Sequence, residues 1–218
     1  MISQRAREVL HTEGARAITT NGLGRELGVS GPAIYRHFTS VADLLDHVVG
    51  RVYDELCDQL EAVVVAPDGS GLLAAARELR LWALANHHEF ALLFSSPLVR
   101  QDWTDDNPAH RGGKRFGTIF LGEFVRQLAS RPGVLERQAP CPPDLRPRLD
   151  GYLAWTGVDL PAEGALLFLE TWVRIYGHIA MEAMGQLSYA LPDMEVLYER
   201  CLADIAATLG LEHQPPQR

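Results

Sequence analysis

The chain has 218 residues, 47% of them hydrophobic, and its 28 acidic side chains outnumber 20 basic ones for a net charge of −8. That length and apolar content suit a small domain plus a larger one with its own core, and argue against a disordered chain. Met1 to Leu10 is polar and arginine-bearing rather than a signal peptide, no apolar run approaches the roughly 20 residues that cross a bilayer, and Cys57, Cys141 and Cys201 lack disulfide-framework or zinc spacing. A cytoplasmic protein with buried, reduced thiols and no metal or cofactor is the expectation.

The charge is uneven. Residues 1–51 carry six arginines against five acids, a balance of +1, which leaves −9 for the rest. An acidic body is repelled by DNA, so the N-terminal segment is the docking face open to nucleic acid. A balance of +1 is low for a DNA reader, and binding with a steep salt dependence is expected.

The segment from Ile18 to Phe38 predicts two short helices meeting at a turn, the layout of a helix-turn-helix DNA reader. Leu23 and Leu27 share one face of the first helix, and Gly28 falls where the chain must reverse, in a left-handed conformation that suits glycine. Gly24 allows the second helix close approach. Ser30 is an N-cap for that helix and Pro32 fits its first turn, with Val29 and Ile34 turned inward. Gly31, Ala33, Tyr35, Arg36 and His37 are then exposed. Small residues at Gly31, Pro32 and Ala33 admit base edges, Tyr35 and His37 suit phosphates, and Arg36 reaches a phosphate or a guanine.

Thr19-Thr20, Leu27-Gly28-Val29-Ser30, Tyr35-Arg36-His37-Phe38 and Leu44-Leu45 together resemble the tetracycline-repressor (TetR) family of bacterial one-component regulators. The resemblance is specific over about the first fifty residues and architectural beyond them. It implies that Thr20 and Asn21 touch the DNA backbone, that Tyr35 and His37 bind phosphate, and that Ser30, Gly31, Pro32 and Ala33 lie at or beside the base-facing positions. Two departures stand out. Val41 occupies the place of a phosphate-binding lysine, and Gly22 and Gly24 weaken the first helix by about 1 kcal/mol each.

Past the reader, Ser40-x-x-Asp43 marks a helix start, and Leu45, Val49, Val52, Leu56 and Leu60 follow at helical spacing. The stretch 66–71 reads as a loop, 72–88 as a helix, Phe90 to Phe94 as a short helix, and 101–112 as a loop. Lys114 to Ser130 reads as a helix. Residues 131–161 are proline-rich, with the best helical piece from Asp144 to Trp155. Ala162 to Gln186 and Pro192 to Leu209 read as two closing helices, the first with Leu169, Val173, Tyr176 and Ala180 in register. The fold class is all-α: a helix-turn-helix domain over 1–47, a helical effector-binding and dimerisation domain over 48–210, and a flexible tail over 211–218.

The resemblance further implies a homodimer through the last two helices and a small, mostly apolar effector. Leu169 to Gly177 is similar to a regulatory-domain subtype with a Trp…His-Gly pattern, with Tyr176 where the histidine would stand. Dimerisation has its own logic, because two readers about 34 Å apart match successive major grooves. Aromatic side chains, among them Trp82, Phe94, Trp103, Phe116, Phe120, Phe124, Trp155, Trp172 and Tyr176, are candidates to line an effector pocket, with His87, His88, Arg174 and His178 to orient a ligand. The narrower effector set is Trp82, His88, Phe94, Phe120, Phe124, Trp172 and Tyr176. No nucleophile elbow, P-loop, dinucleotide fingerprint or HExxH motif points to an enzyme. The expected function is a repressor released from a palindromic double-stranded DNA operator by its effector. The alternative is a dimer of the same shape that binds small molecules and has weak or lost DNA affinity.

Overall fold

The computed structural model describes residues 2–28, 34–65, 71–95 and 107–215, which form ten α-helices and no strand. They are α1 Ile2–Glu13, α2 Thr20–Leu27, α3 Val41–Val64, α4 Gly71–Ala85, α5 His87–Ser95, α6 Pro108–Ala129, α7 Gly133–Glu136, α8 Arg146–Thr156, α9 Ala162–Ala183 and α10 Glu195–Leu209, with a 3₁₀ turn over Ala15–Ala17. The chain packs as two compact units, residues 1–62 with 78–119 and residues 63–77 with 120–218. The unit boundaries fall inside α3, α4 and α6, so these helices belong to both.

In the first unit α3 is the spine. Its start follows from a cap: Ser40 Oγ accepts from the Asp43 N–H at 3.0 Å, while Asp43 Oδ2 accepts from the N–H of Thr39 at 2.7 Å and its hydroxyl at 3.0 Å. This is the anticipated cap with the return bond displaced by one residue, from Ser40 to Thr39. Leu45, Val49, Val52, Leu56 and Leu60 are all buried, as their spacing requires. α6 crosses α3 where glycine lets the backbones approach: a Cβ at Gly50 would sit 2.7 Å from Pro108, and one at Gly112 2.5 Å from Tyr53.

The two closing helices are each three residues shorter than read, the first ending at Ala183 and the second starting at Glu195, and two further boundaries differ for a reason that a side chain supplies. The helix read over 72–88 breaks at Asn86, whose side-chain amide donates to the Trp82 carbonyl at 2.9 Å while its own carbonyl accepts from Phe90. His87 and His88 therefore open α5 instead of closing α4. The loop read over 101–112 gives way to helix at Pro108, because Asn107 Oδ1 accepts from the Ala109 N–H at 2.8 Å and Pro108 supplies a first helical residue that needs no donor. Residues 66–70 and 96–106, including Trp103, lie outside the described residues.

The second unit is organised around α9 and α10. Its core joins Phe124, Phe168, Ile175, Ile179, Tyr198, Leu202 and Ile205, and a satellite cluster under α8 holds Cys141, Leu149, Leu153, Ala162 and Ala165. Tyr198 donates its hydroxyl to the Ala76 carbonyl at 2.7 Å, and Arg77 forms a two-pronged pair with Glu199, both bonds at 2.8 Å. The chain beyond α10 is tied to the same carboxylate: His213 Nε2 lies 2.9 Å from Glu199 Oε2, and Arg77 also donates to the Gln214 carbonyl. All three cysteines are free and buried.

Candidate nucleic-acid interface

α2 begins because Thr19 is extended (φ −131°, ψ 148°) and its hydroxyl accepts from the Gly22 N–H at 3.0 Å. This side-chain bond occupies one of the donors that a helix start leaves open. The helix ends at Gly28, where φ is 65° and ψ is 25°, the left-handed turn that the glycine anticipates. Leu23 (2% exposed) and Ile18 (4%) anchor the inner face. Thr20 opens α2 and Asn21 is exposed beside it.

The second helix of the pair is described only from Ile34, and the readings on Ser30, Gly31, Pro32 and Ala33 lie outside the described residues. Its end is well defined. The amides of His37 and Phe38 both return to the Ile34 carbonyl, at 3.0 and 3.1 Å. Ile34 (1% exposed) and Phe38 (9%) are buried four residues apart, while Tyr35, Arg36 and His37 between them are exposed, Tyr35 at 53%. Tyr35 and Arg36 point away from that buried stripe, while His37, three residues after Ile34, lies at its edge and is exposed where the helix ends. Three hydrogen-bonding side chains are thus presented on one short arc, held by two apolar anchors.

Some contributors to this surface carried no distinct sequence signal. His47, one turn along α3 from Asp43, sets its ring edge-on to Phe38 with centroids 5.3 Å apart, and its Nδ1 lies 3.0 Å from the Asp43 carbonyl. Val41, at the lysine position, is half-buried at the first residue of α3.

The proposed effector residues divide between the units. In the first, Phe94 joins Tyr53, Phe90 and Phe116 in a ring cluster with centroids 5.0 to 6.1 Å apart, and Trp82 is buried. In the second, Phe120 meets Trp172 at 5.1 Å, Trp172 stacks on Tyr176 at 5.8 Å, and Phe124 meets Phe168 at 5.3 Å. His178 faces the ring of Tyr198, Trp155 is 61% exposed, and Arg174 reaches Asp204 at 3.6 Å. His87 is exposed, and His88 turns to α1, its Nδ1 2.9 Å from the His11 carbonyl.

Comparison with known proteins agrees with this geometry. Residues 2–48 match the family described as bacterial regulatory proteins, tetR family, and residues 72–205 match the tetracyclin repressor-like C-terminal domain. The chain belongs to the tetR family and is a helix-turn-helix transcriptional regulator. The HTH-type transcriptional regulators Rv1816 of Mycobacterium tuberculosis (strain ATCC 25618 / H37Rv) and Mb1846 of Mycobacterium bovis (strain ATCC BAA-935 / AF2122/97) are each 25% identical to it over 225 residues, covering 97% of this chain and 92% of theirs. The crystal structure of the protein SCO4313 shares the fold, with a TM-score of 0.71 and 23% identity across 94% of this chain and 93% of that one. Among the described residues no helix is long and apolar enough to cross a membrane.

Proposed function

We propose that this regulator is a homodimeric repressor that holds a palindromic operator and is released from it by a small, mostly apolar effector. The observation that carries this reading is the arc of Tyr35, Arg36 and His37 behind the left-handed turn at Gly28. In this reading Tyr35 and His37 clamp phosphates, Arg36 takes a phosphate or a guanine, and Thr20 and Asn21 touch the backbone at the other side of the groove. Ser30 as the N-cap, and Gly31, Pro32 and Ala33 as base-facing positions, complete the set at the start of the recognition helix. The reader spans residues 1–47 and the effector and dimer domain 48–210. Within that second domain the stack of Phe120, Trp172 and Tyr176, with Phe124 beside Phe168, supports an effector site better than the remaining candidates do, because these rings gather on two helices. The partner surface is the outer face of α9 and α10, where Val173 and Val196 are 67% and 65% exposed.

Release requires only a modest bias. An effector that favours the non-binding spacing of the two readers by about 3 kcal/mol weakens operator binding on the order of a hundredfold. One observation favours the second reading, a small-molecule-binding dimer with weak DNA affinity: apolar Val41 and acidic Asp43 share the first turn of α3, where phosphate would be met.

The test is selection of a random duplex library by fluorescence anisotropy at two salt concentrations, followed by Tyr35→Ala and Arg36→Ala. A palindrome with salt-sensitive affinity is expected, each substitution weakening binding by about 5- to 100-fold while the fold is unchanged. Failure of folded, dimeric protein to enrich any sequence would favour the small-molecule binder, and unchanged affinity in both variants would overturn the site assignment.

A further inference from the structure

The start of α3 brings little positive charge to the end of the recognition helix. Apolar Val41 is its first residue, Asp43 lies in its first turn, and Asp46, three residues on, is buried. His47 follows, one turn from Asp43 on the same face. Its ring stands edge-on to Phe38, with centroids 5.3 Å apart and planes at 78°. Phe38 directly follows His37 in the chain, so the His47 ring is one side chain removed from the exposed arc of Tyr35, Arg36 and His37.

Asp43 fixes how that ring is held. Its Oδ2 accepts from the N–H and hydroxyl of Thr39, while His47 Nδ1 lies 3.0 Å from the Asp43 carbonyl oxygen and 3.5 Å from Oδ1. A carbonyl oxygen only accepts, so Nδ1 carries a hydrogen, and in the neutral ring Nε2 is a bare acceptor. The side chain is 47% exposed, and Nε2 has no hydrogen-bond partner among the described residues. Phosphate oxygens also accept, so the neutral ring offers the duplex backbone no bond. Protonation makes Nε2 a donor and adds one positive charge to the balance of +1 over residues 1–51.

We propose that His47 is a further DNA-docking residue, a cation that the reader gains on protonation and that draws the duplex backbone beside the phosphates taken by His37. The inference rests on the arc of Tyr35, Arg36 and His37 being the docking face and adds a control of its affinity by pH. Exposed charges act over about 8–10 Å at moderate salt, so the imidazolium contributes whether a phosphate meets Nε2 directly or through a water. The charged and titratable groups about the ring are Asp43 and Asp46 on α3, Arg51 one turn further, and Tyr35, Arg36 and His37 at the end of the recognition helix. On the α1 side, Arg51 donates to Gln4 at 3.0 Å and Arg7 pairs with Glu55. Histidine is the side chain that changes charge near neutral pH, so His37 and His47 are the two groups to separate.

The test is fluorescence anisotropy of the full chain at about pH 8 and about pH 6, with two probes: the duplex recovered by selection and a mixed-sequence duplex. Wild type should bind both probes about three- to tenfold more tightly at the lower pH. His47→Gln should match wild type at the higher pH and lose most of that gain, while His47→Lys, charged at both values, should bind at the higher pH as wild type does at the lower. At the lower pH the slope of log affinity against log salt should be shallower in His47→Gln by about 0.9, a change that a side chain merely packed on Phe38 would not produce. Circular dichroism confirms that each variant is folded. A gain that survives in His47→Gln and disappears in His37→Gln belongs to the arc and overturns the proposal, as does pH-independent binding by wild type, which leaves the operator reading intact. If no sequence is selected but the mixed duplex shows the gain that depends on His47, the operator reading fails and the docking role of His47 stands. Binding of neither probe at either pH overturns both.

Discussion

Single residues decide the geometry of the reader. Gly28 sits at φ 65°, and among the described residues a Cβ placed there would meet nothing within 4 Å, so it is the backbone that calls for glycine. Gly28→Ala is therefore expected to destabilise the protein by about 1–2 kcal/mol, while Gly117→Ala, in the interior of α6 with equally open surroundings, should stabilise it by about 0.5–1 kcal/mol. Urea unfolding of both variants checks the contrast, and equal effects would show that the turn is not held left-handed. The cysteines follow a different logic. Burial pushes the Cys57 thiol up to about 12 and raises that of Cys201, which leaves little thiolate at neutral pH and suits the expectation of inert core thiols.

Among the helices, caps with side-chain donors and acceptors explain where segments start and stop. Ser40 and Asp43 were legible because both partners lie within one turn of sequence. Asn86 and Asn107 carried the same chemistry, but an apolar periodicity running through Asn86 and a loop-like Asp-Asp-Asn-Pro run masked it. α9 shows the limit of periodicity. Leu169, Val173, Tyr176 and Ala180 are in helical register, yet the stripe that enters the core is Phe168, Thr171, Ile175 and Ile179, and Val173 stays 67% exposed. A helix apolar on two faces gives no internal sign of which face its own chain will cover. α9 also carries a pH-sensitive group. Burial, with Arg174 adding to it, lowers the pKa of His178 below its ordinary 6.5. The unfolded chain then binds a proton that the folded site resists, so the contribution to stability is complete above pH 6.5 and declines as pH falls through the folded value. Denaturation midpoints at pH 7.5 and 5.5 should fall less in His178→Gln than in wild type, and parallel declines would remove His178 as the cause.

Across the molecule, the distribution of charge and the outer face of α9 and α10 matter together. An acidic body with a near-neutral reader favours approach to DNA through that reader. A second copy covering Val173 and Val196 would fix the distance between two such readers. Val173→Glu would bury an unpaired carboxylate at that proposed interface and should raise the dimer dissociation constant by roughly a hundredfold or more, with helical content retained. Sedimentation reads the outcome directly. A variant that remains dimeric at low concentration would place the partner surface elsewhere.

The all-α class, the turn at Gly28, the cap at Ser40 and the arc from Ile34 to Phe38 were all legible in the order of the residues. Each of these rests on residues within one or two helical turns, where propensity and spacing act without help from the rest of the chain. Packing alone settled which stripe of α9 is buried, that α3 and α6 cross at Gly50 and Gly112, and that His11 meets Glu89 across 78 positions of sequence. Those outcomes depend on which apolar surfaces find each other and which polar groups are trapped between them. A histidine in α1 and a glutamate in α5 look like ordinary solvated residues until packing removes the water from one of them.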